Sequence, residues 1–260
     1  MEPGFLETAL ECARSAGKVL VERLWERREI EKKGYRDTVT DADTAAETVI
    51  LSILRTRFPD HAILSEETGG NADSPYTWLV DPLDGTTNYS RRHPTFSVSV
   101  ALTWEGEPTA GVVHDPLRDH TFAARRGGGA TLNGRPIHAR PSVRLADALV
   151  GLDWAHDDAQ RRQVMRRLRI LAPQCRTVRG LGSAALALTY VGAGWLDLYF
   201  ATGLHPWDTA AASLIVTEAG GKVTGWNGEP WRVGHPALLA SGGPLHAEAL
   251  KLWKSAERDA

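Results

Sequence analysis

The chain has 260 residues, enough to bury a sizeable core in one large domain or two packed lobes. Its 42% hydrophobic and 24% charged residues are ordinary for a globular protein, and a net charge of −2 exerts no general pull toward nucleic acid or an anionic membrane. Cys12 and Cys175 are far apart and outside any Cys-x-x-Cys, which argues against a disulfide scaffold, a thiolate zinc site or a dithiol redox centre and points to a reducing cytoplasm.

Phe5, Leu6, Ala9, Leu10, Ala13, Leu20 and Leu24 share one face of a predicted first helix, broken by Glu7, Glu11 and Arg14. That pattern is amphipathic, neither a signal peptide nor a membrane span, and no stretch approaches the ~20 apolar residues a span needs. Residues 31–37 read as charged and turn-like. The stretch 38–43 then leads into a second helix with Ala46, Val49, Ile50, Ile53 and Leu54 on its apolar face and Phe58-Pro59 at its end. Ala62-Ile63-Leu64 and Trp78-Leu79-Val80 are short predicted strands, running into Ser65-Glu66-Glu67 and Asp81.

Phe96, Val98, Val100, Leu102 and Trp104 alternate with smaller or polar residues, which is strand periodicity. Turns at 106–108 and 115–119, a return over 110–114, a strand over 121–124 and a glycine-rich loop at 125–134 complete an antiparallel meander. Beyond Arg140-Pro141-Ser142 the pattern predicts strand 148–152, helix 158–171, strand 175–178, helix 182–191, strand 196–200, helix 207–219 and strand 222–224. These elements predict an α/β fold of the α+β type. We expect a layered αβαβα sandwich of two lobes, 1–140 and 141–260, the antiparallel sheet first and a smaller mixed sheet second.

Five acids fall just past a predicted strand or at a helix start: Asp43, Glu66, Asp81, Asp84 and Asp208. Each alone has a plain explanation. Asp43 and Asp208 fit helix N-caps, Glu66-Glu67 solvated loop charge, and Asp84-Gly85 a turn. Their joint placement says more, because strand ends on one side of a sheet are where layered α/β folds put ligand sites. Like charges gathered there repel unless a cation holds them, and hard oxygen ligands suit Mg²⁺. In Asp81-Pro82-Leu83-Asp84 the proline stiffens the link, so that both carboxylates and the Leu83 carbonyl would face one site. Gly85 permits close approach to the backbone, and a helix opening at Thr86 would offer the N–H groups of Gly85 and Thr86 to an anion. Metals beside an anion pocket read as phosphate chemistry. The second Asp-Pro-Leu, at 115–117, reads as a hairpin turn.

Five motifs now stand in order along the chain. They are Asp37-x-Val39-Thr40-x-x-Asp43, Ser65-Glu66-Glu67, Trp78-x-Val80-Asp81-Pro82-Leu83-Asp84-Gly85-Thr86-Thr87-Asn88, Gly182-Ser183-Ala184-Ala185, and Trp207-Asp208-x-Ala210-Ala211 followed by Glu218-Ala219-Gly220-Gly221. This set resembles the inositol monophosphatase family, within the wider group of Mg²⁺-dependent, Li⁺-sensitive sugar-phosphate phosphatases. The resemblance implies hydrolysis of a small phosphate ester, two to three Mg²⁺ per subunit, and a homodimer.

It further implies that Glu66, Asp81 and the Leu83 carbonyl bind one Mg²⁺, and that Asp81, Asp84 and Asp208 bind a second. A third, weaker ion would sit near Glu66, with Lys32 or Lys33 on a loop contributing to that region. Asp43, Thr86 and Glu66 would form the catalytic group, Asp43 and Thr86 orienting and deprotonating a metal-activated water for in-line attack. Gly85 and Thr86 would hold the phosphate. Gly182, Ser183 and Ala184, with Asp84 and Asp208, would face the alcohol part of the substrate.

The chain departs from the family's pattern at Ala201, where members that act on inositol phosphate commonly carry an acid that contacts sugar hydroxyls. A methyl accepts no hydrogen bond, so inositol as the preferred substrate is in question. Asp-Pro-Leu-Asp-Gly also occurs in fructose-1,6-bisphosphatases, and Arg91-Arg92 after the acidic loop would suit a second phosphate; solvated surface is the plainer reading of that pair. Histidinol phosphate, adenosine bisphosphate and NADP remain alternative substrates.

Two rival mechanisms stay open. One is an aspartyl-phosphate intermediate, disfavoured because Asp81 and Asp84 are three apart with a proline between. The other is a non-catalytic protein that keeps the fold for binding a partner. Gly127-Gly128-Gly129 lacks the lysine of a P-loop, and the arginines of 161–169 read as the wet side of a helix striped by Val164, Leu168 and Leu171. Neither suggests a nucleic-acid partner.

Overall fold

A computed structural model describes the backbone of residues 4–26, 30–34, 37–141 and 144–258, and the side chains of these apart from 30–34, 37–39 and 256–258. Helix α1 (Phe5–Arg23) is followed by a hairpin of β1 (Ile30–Gly34) and β2 (Asp37–Thr40), where only a charged turn was expected, and then by α2 (Asp41–Arg57). Strands β3 (Ala62–Ser65), β4 (Gly69–Gly70) and β5 (Tyr76–Asp84) lead to the one-turn helix α3 (Thr86–Ser90). Strands β6 (Ser97–Trp104), β7 (Glu107–Asp115), β8 (His120–Arg125), β9 (Ala130–Leu132) and β10 (Arg135–Pro136) form the meander. The glycine-rich stretch therefore contains the short strand β9, paired with β10 just beyond it, as well as a loop.

Next come β11 (Leu149–Leu152), α4 (Asp158–Leu171), β12 (Thr177–Gly180), α5 (Ala184–Gly192), β13 (Leu198–Thr202), α6 (Pro206–Glu218) and β14 (Gly221–Thr224). Strand β15 (Ala237–Gly242) and helix α7 (Leu245–Arg258) lie beyond the last predicted element. The β15 segment is too short an apolar run to separate strand from helix by periodicity.

The larger sheet has the order β10-β9-β8-β7-β6-β5-β3-β4, and the smaller one the order β12-β11-β13-β15-β14. The first sheet is antiparallel, as expected, except that β3 runs parallel to β5. The second is mixed, as expected. Helices α1 and α2 cover one face of the larger sheet, α5 and α6 lie between the two sheets, and α4 and α7 cover the far face of the smaller sheet. The layers are αβαβα.

Sequence explains this placement. α1 buries Phe5, Ala9, Cys12, Ala13, Ala16 and Leu20 on one face only, as a covering helix must. α6 is buried continuously from Thr209 to Val216, because a helix between two sheets has no wet side, and Ala210, Ala211 and Ala212 let both sheets come close. α4 buries Val164 and Leu171 but is not wet on all its arginines: Arg167 lies over the Trp226 ring, 4.2 Å from its centroid. Cys12 and Cys175 are free, and burial pushes the Cys12 thiol up to about 12. Among the described residues, no helix is long and apolar enough to cross a membrane.

Candidate active site

Three local features bring the acids together. The parallel pairing of β3 and β5 sets Ser65 against Val80, so the next residues, Glu66 and Asp81, leave the sheet side by side, and the Glu66 N–H donates to the Val80 carbonyl at 3.1 Å. Strand β5 continues through Asp84 with a bulge in its pairing to β6 between Asp81 and Asp84, so Asp81 lies inside the strand rather than past it. The Ser99 hydroxyl, opposite Asp81 on β6, donates to the Trp207 carbonyl at 2.9 Å and anchors the start of α6 beside the same strand end. Asp208, the next residue, is near enough for its charge to act on Asp81.

The two Asp-Pro-Leu segments share one turn and differ in company. The Leu83 N–H donates to Asp81 Oδ1 at 3.0 Å, and the Leu117 N–H to Asp115 Oδ1 at 3.1 Å. Asp115 sits in the hairpin turn expected of it, and Arg118 donates to its other oxygen at 2.7 Å. Asp81 meets acids instead. Burial raises its carboxyl well above the usual range, the charges of Glu66, Asp84 and Asp208 add to the rise, and Glu66 shares a hydrogen bond with it. Asp208 keeps part of its surface open, yet loss of solvent around its carboxyl raises it well above that range too. The His205 N–H opposes this rise, while Asp84, Glu66 and Asp153 add to it.

Asp84 is held more tightly than any other acid of the group. Its Oδ2 accepts from the Ser97 hydroxyl at 3.0 Å, from the Ala185 N–H at 3.0 Å and from the Ser183 hydroxyl, and its Oδ1 accepts from the Ala184 N–H at 2.9 Å. Burial still raises it, against the pull of those donors. The predicted Gly182-Ser183-Ala184 segment therefore meets the metal-ligand candidates through Asp84. Asn88 ties the same turn from the other side, its Nδ2 donating to the carbonyls of Thr95 at 2.7 Å and Leu181 at 2.8 Å.

Asp43 and Asp208 are not N-caps. Each is the third residue of its helix and closes a capping box, with Thr40 and His205 as the caps. The Thr40 N–H and hydroxyl both donate to Asp43 Oδ2, at 2.8 and 2.5 Å, and the His205 N–H donates to Asp208 Oδ2 at 2.7 Å. Asp43 Oδ1 is left for the Thr86 hydroxyl at 3.1 Å; that hydroxyl also reaches the Leu83 carbonyl at 3.1 Å. Burial raises the Asp43 carboxyl, and the hydrogen bonds from Thr40 and Thr86 lower it.

Gly85 turns into α3 at φ +97°, and a Cβ there would stand 2.9 Å from the Gly182 carbonyl oxygen. The turn needs glycine. Glu66 is positioned by a buried carboxylate that the sequence reading passed over: Glu47 of α2 accepts from the Ser65 hydroxyl and from the Thr68 N–H at 3.1 Å. The side chains of Lys32 and Lys33 lie outside the described residues. Ala201 is buried in β13 opposite Leu238, and the Arg92 guanidinium lies 5.5 Å from the Trp25 ring centroid.

Among the described residues, no group of three or more His, Cys, Asp or Glu side chains already stands at metal-holding geometry. The oxygens of the acids are engaged instead by one another, by backbone N–H groups and by serine hydroxyls. The donor set nonetheless fits a hard divalent cation: every candidate atom is oxygen, and the leading charges acting on Asp81 and Asp208 are all carboxylates. Serine, threonine or amide ligands alone would not raise those carboxyls as far.

Residues 4–257 match the inositol monophosphatase family. An inositol-1-monophosphatase of Synechocystis is 40% identical over 94% of this chain and 86% of its own length. The protein named Nus factor SuhB in Pasteurella multocida is 38% identical over 96% of this chain and 92% of its own. The solved structure of an inositol monophosphatase from Anabaena superposes with a TM-score of 0.87 at 37% identity, covering 96% of this chain and 95% of that one. With the acids, the capping boxes and the fold in place, the chain belongs to the inositol monophosphatase family and is a phosphatase.

Proposed function

We propose that this phosphatase hydrolyses a small phosphomonoester, an inositol monophosphate or related sugar phosphate, with Mg²⁺. The observation that carries the reading is the meeting of Glu66, Asp81, Asp84 and Asp208 at one strand end, next to the Thr86–Asp43 hydrogen bond. Glu66, Asp81 and the Leu83 carbonyl would hold one ion, Asp81, Asp84 and Asp208 a second, and the surroundings of Glu66 a weaker third. Bound there, the ions supply an acidic water near neutral pH and positive charge against the phosphate and the leaving oxygen.

The protein's own part is a proton relay. The Thr86 hydroxyl has one proton for two acceptors, Asp43 and the Leu83 carbonyl, and its lone pairs take a proton from the attacking water as its own passes to Asp43. Asp43 is built for this, because Thr40 occupies its other oxygen and leaves Oδ1 directed at Thr86. The N–H groups of Gly85 and Thr86 would meet the phosphate oxygens. Gly182, Ser183 and Ala184 would face the alcohol. Direct attack by water is favoured over an aspartyl-phosphate, since Asp81 is already bonded to Leu83 and Glu66. Lithium inhibition, a homodimer and a cytoplasmic setting belong to the same reading and are supported by the family alone.

The relatives named Nus factor SuhB favour a second reading, a non-catalytic role beside hydrolysis. One experiment addresses the first. Phosphate release with Mg²⁺ is measured across inositol 1-phosphate, fructose 1,6-bisphosphate, histidinol phosphate, adenosine 3′,5′-bisphosphate and NADP. Turnover of inositol 1-phosphate is expected, and folded Asp81→Asn should release none. Release from no substrate by the wild type would leave the non-catalytic reading.

A further inference from the structure

A buried carboxylate that the relay does not use lies behind the turn at 182. Asp153 follows the last residue of β11, where Leu152 pairs with Phe200 of β13, and is only 9% exposed. Its Oδ1 accepts the Gly182 N–H at 2.8 Å, and its Oδ2 accepts the Tyr199 hydroxyl at 2.9 Å. Each oxygen thus has one firm donor, and neither donor is a metal-ligand candidate.

The turn it grips is the one that holds Asp84. Gly182 adopts φ +71°, and a Cβ there would stand 2.9 Å from Asn88 Nδ2, so the turn is closed in from that side. Asn88 takes its carbonyls, Asp153 takes its N–H, and the next three residues give a hydroxyl and two N–H groups to Asp84. An Asp84 carboxylate with four donors can turn only as far as Ser183, Ala184 and Ala185 allow. Those residues in turn are anchored at Gly182.

We propose that Asp153 is a positioning residue for the metal site: through Gly182 it fixes the turn that orients the Asp84 carboxylate, and so sets the affinity for Mg²⁺ without touching ion or substrate. This rests on the Mg²⁺-dependent reading above. Keeping a carboxylate there has a cost that an idle side chain would not justify, since burial pushes it up to about 7 and the Asp84 charge adds to the rise. Partners of this kind behind a ligand commonly matter to metal affinity by about tenfold to a hundredfold.

The test is the Mg²⁺ dissociation constant by calorimetry at pH 8, with kcat and KM at saturating Mg²⁺. Asp153→Ala should bind Mg²⁺ about tenfold more weakly, with kcat largely restored at saturating Mg²⁺. Asp153→Asn, whose carbonyl oxygen still accepts the Gly182 N–H, should recover most of the affinity. Wild-type Mg²⁺ affinity in Asp153→Ala, or equal losses in the Ala and Asn variants, would overturn the proposal. Should Asp153→Ala fail to fold, Tyr199→Phe decides: about threefold weaker Mg²⁺ binding supports the role, and wild-type affinity removes it. A wild-type protein that binds no Mg²⁺ would instead sink the Mg²⁺ reading itself.

Discussion

Thr86 carries one hydroxyl proton between two oxygens 3.1 Å away, and that division sets what its loss should do. Thr86→Val keeps the shape and removes the relay. Its kcat should fall by about a hundredfold to ten-thousandfold, with Mg²⁺ affinity close to wild type; steady-state kinetics beside calorimetry check the pair of outcomes. At this scale much was legible in the sequence. Asp81, Asp84, Asp208 and Glu66 stand out in the sequence because each sits at a strand end or helix start, and the fold brings their charges together. The plain alternative for Asp43 and Asp208, an N-cap, misses by three residues, although Thr40-x-x-Asp43 is itself the spacing of a capping box. Asp153 obeys the same rule that picked the other acids, since it follows predicted strand 148–152, and was passed over. Ser97 and Ser99 carried no signal. Their roles depend on pairing with Asp84 and on reaching Trp207, contacts that are distant in sequence.

Elements were read well where one face is wet and poorly where a chain segment is short or buried all round. The alternation of β6 and the stripe of α1 located themselves, while the parallel pairing of β3 with β5, which delivers Glu66 to Asp81, has no local pattern. The unforeseen C-terminal pair β15 and α7 is locked by His246. Thr224 gives its proton to the Gly225 carbonyl, so its oxygen accepts from His246 Nε2 at 2.8 Å, which leaves Nδ1 to accept the Ser241 hydroxyl at 2.9 Å. His246 is therefore neutral and buried, and burial, with the Lys222 charge, pushes it down to about 4. Below the ordinary value of 6.5 the unfolded chain binds a proton that the folded chain refuses. Stability from this residue is thus present above that pH and declines as pH falls toward 4, by up to about 1.4 kcal/mol per pH unit. The difference in urea-unfolding stability between wild type and His246→Gln should follow this slope as pH falls from 6.5 toward 4. Parallel curves would mean that His246 is charged in the fold.

The whole molecule gathers its hardest-to-bury groups at one point between otherwise apolar layers. A core of this size tolerates that arrangement, as the continuous clusters on both faces of the larger sheet show. For acids raised above their ordinary values the sign runs opposite to His246. Between the ordinary and raised values the folded chain holds more protons than the unfolded one, so metal-free stability falls as pH rises through that window. A cation that binds only the folded chain reverses the loss, by about 2.7 kcal/mol at a hundredfold excess over its Kd. For a chain of this length that is a rise in Tm of about 5–10 °C.

The most direct test of the acid cluster as a cation site is therefore the Tm of wild type and Asp81→Asn, with and without Mg²⁺, at pH 8 and pH 5. The wild type should gain about 5–10 °C from saturating Mg²⁺ at pH 8 and much less at pH 5, and Asp81→Asn should melt higher than wild type without Mg²⁺ and gain little from it. Equal gains at both pH values, or a wild type indifferent to Mg²⁺, would contradict the account.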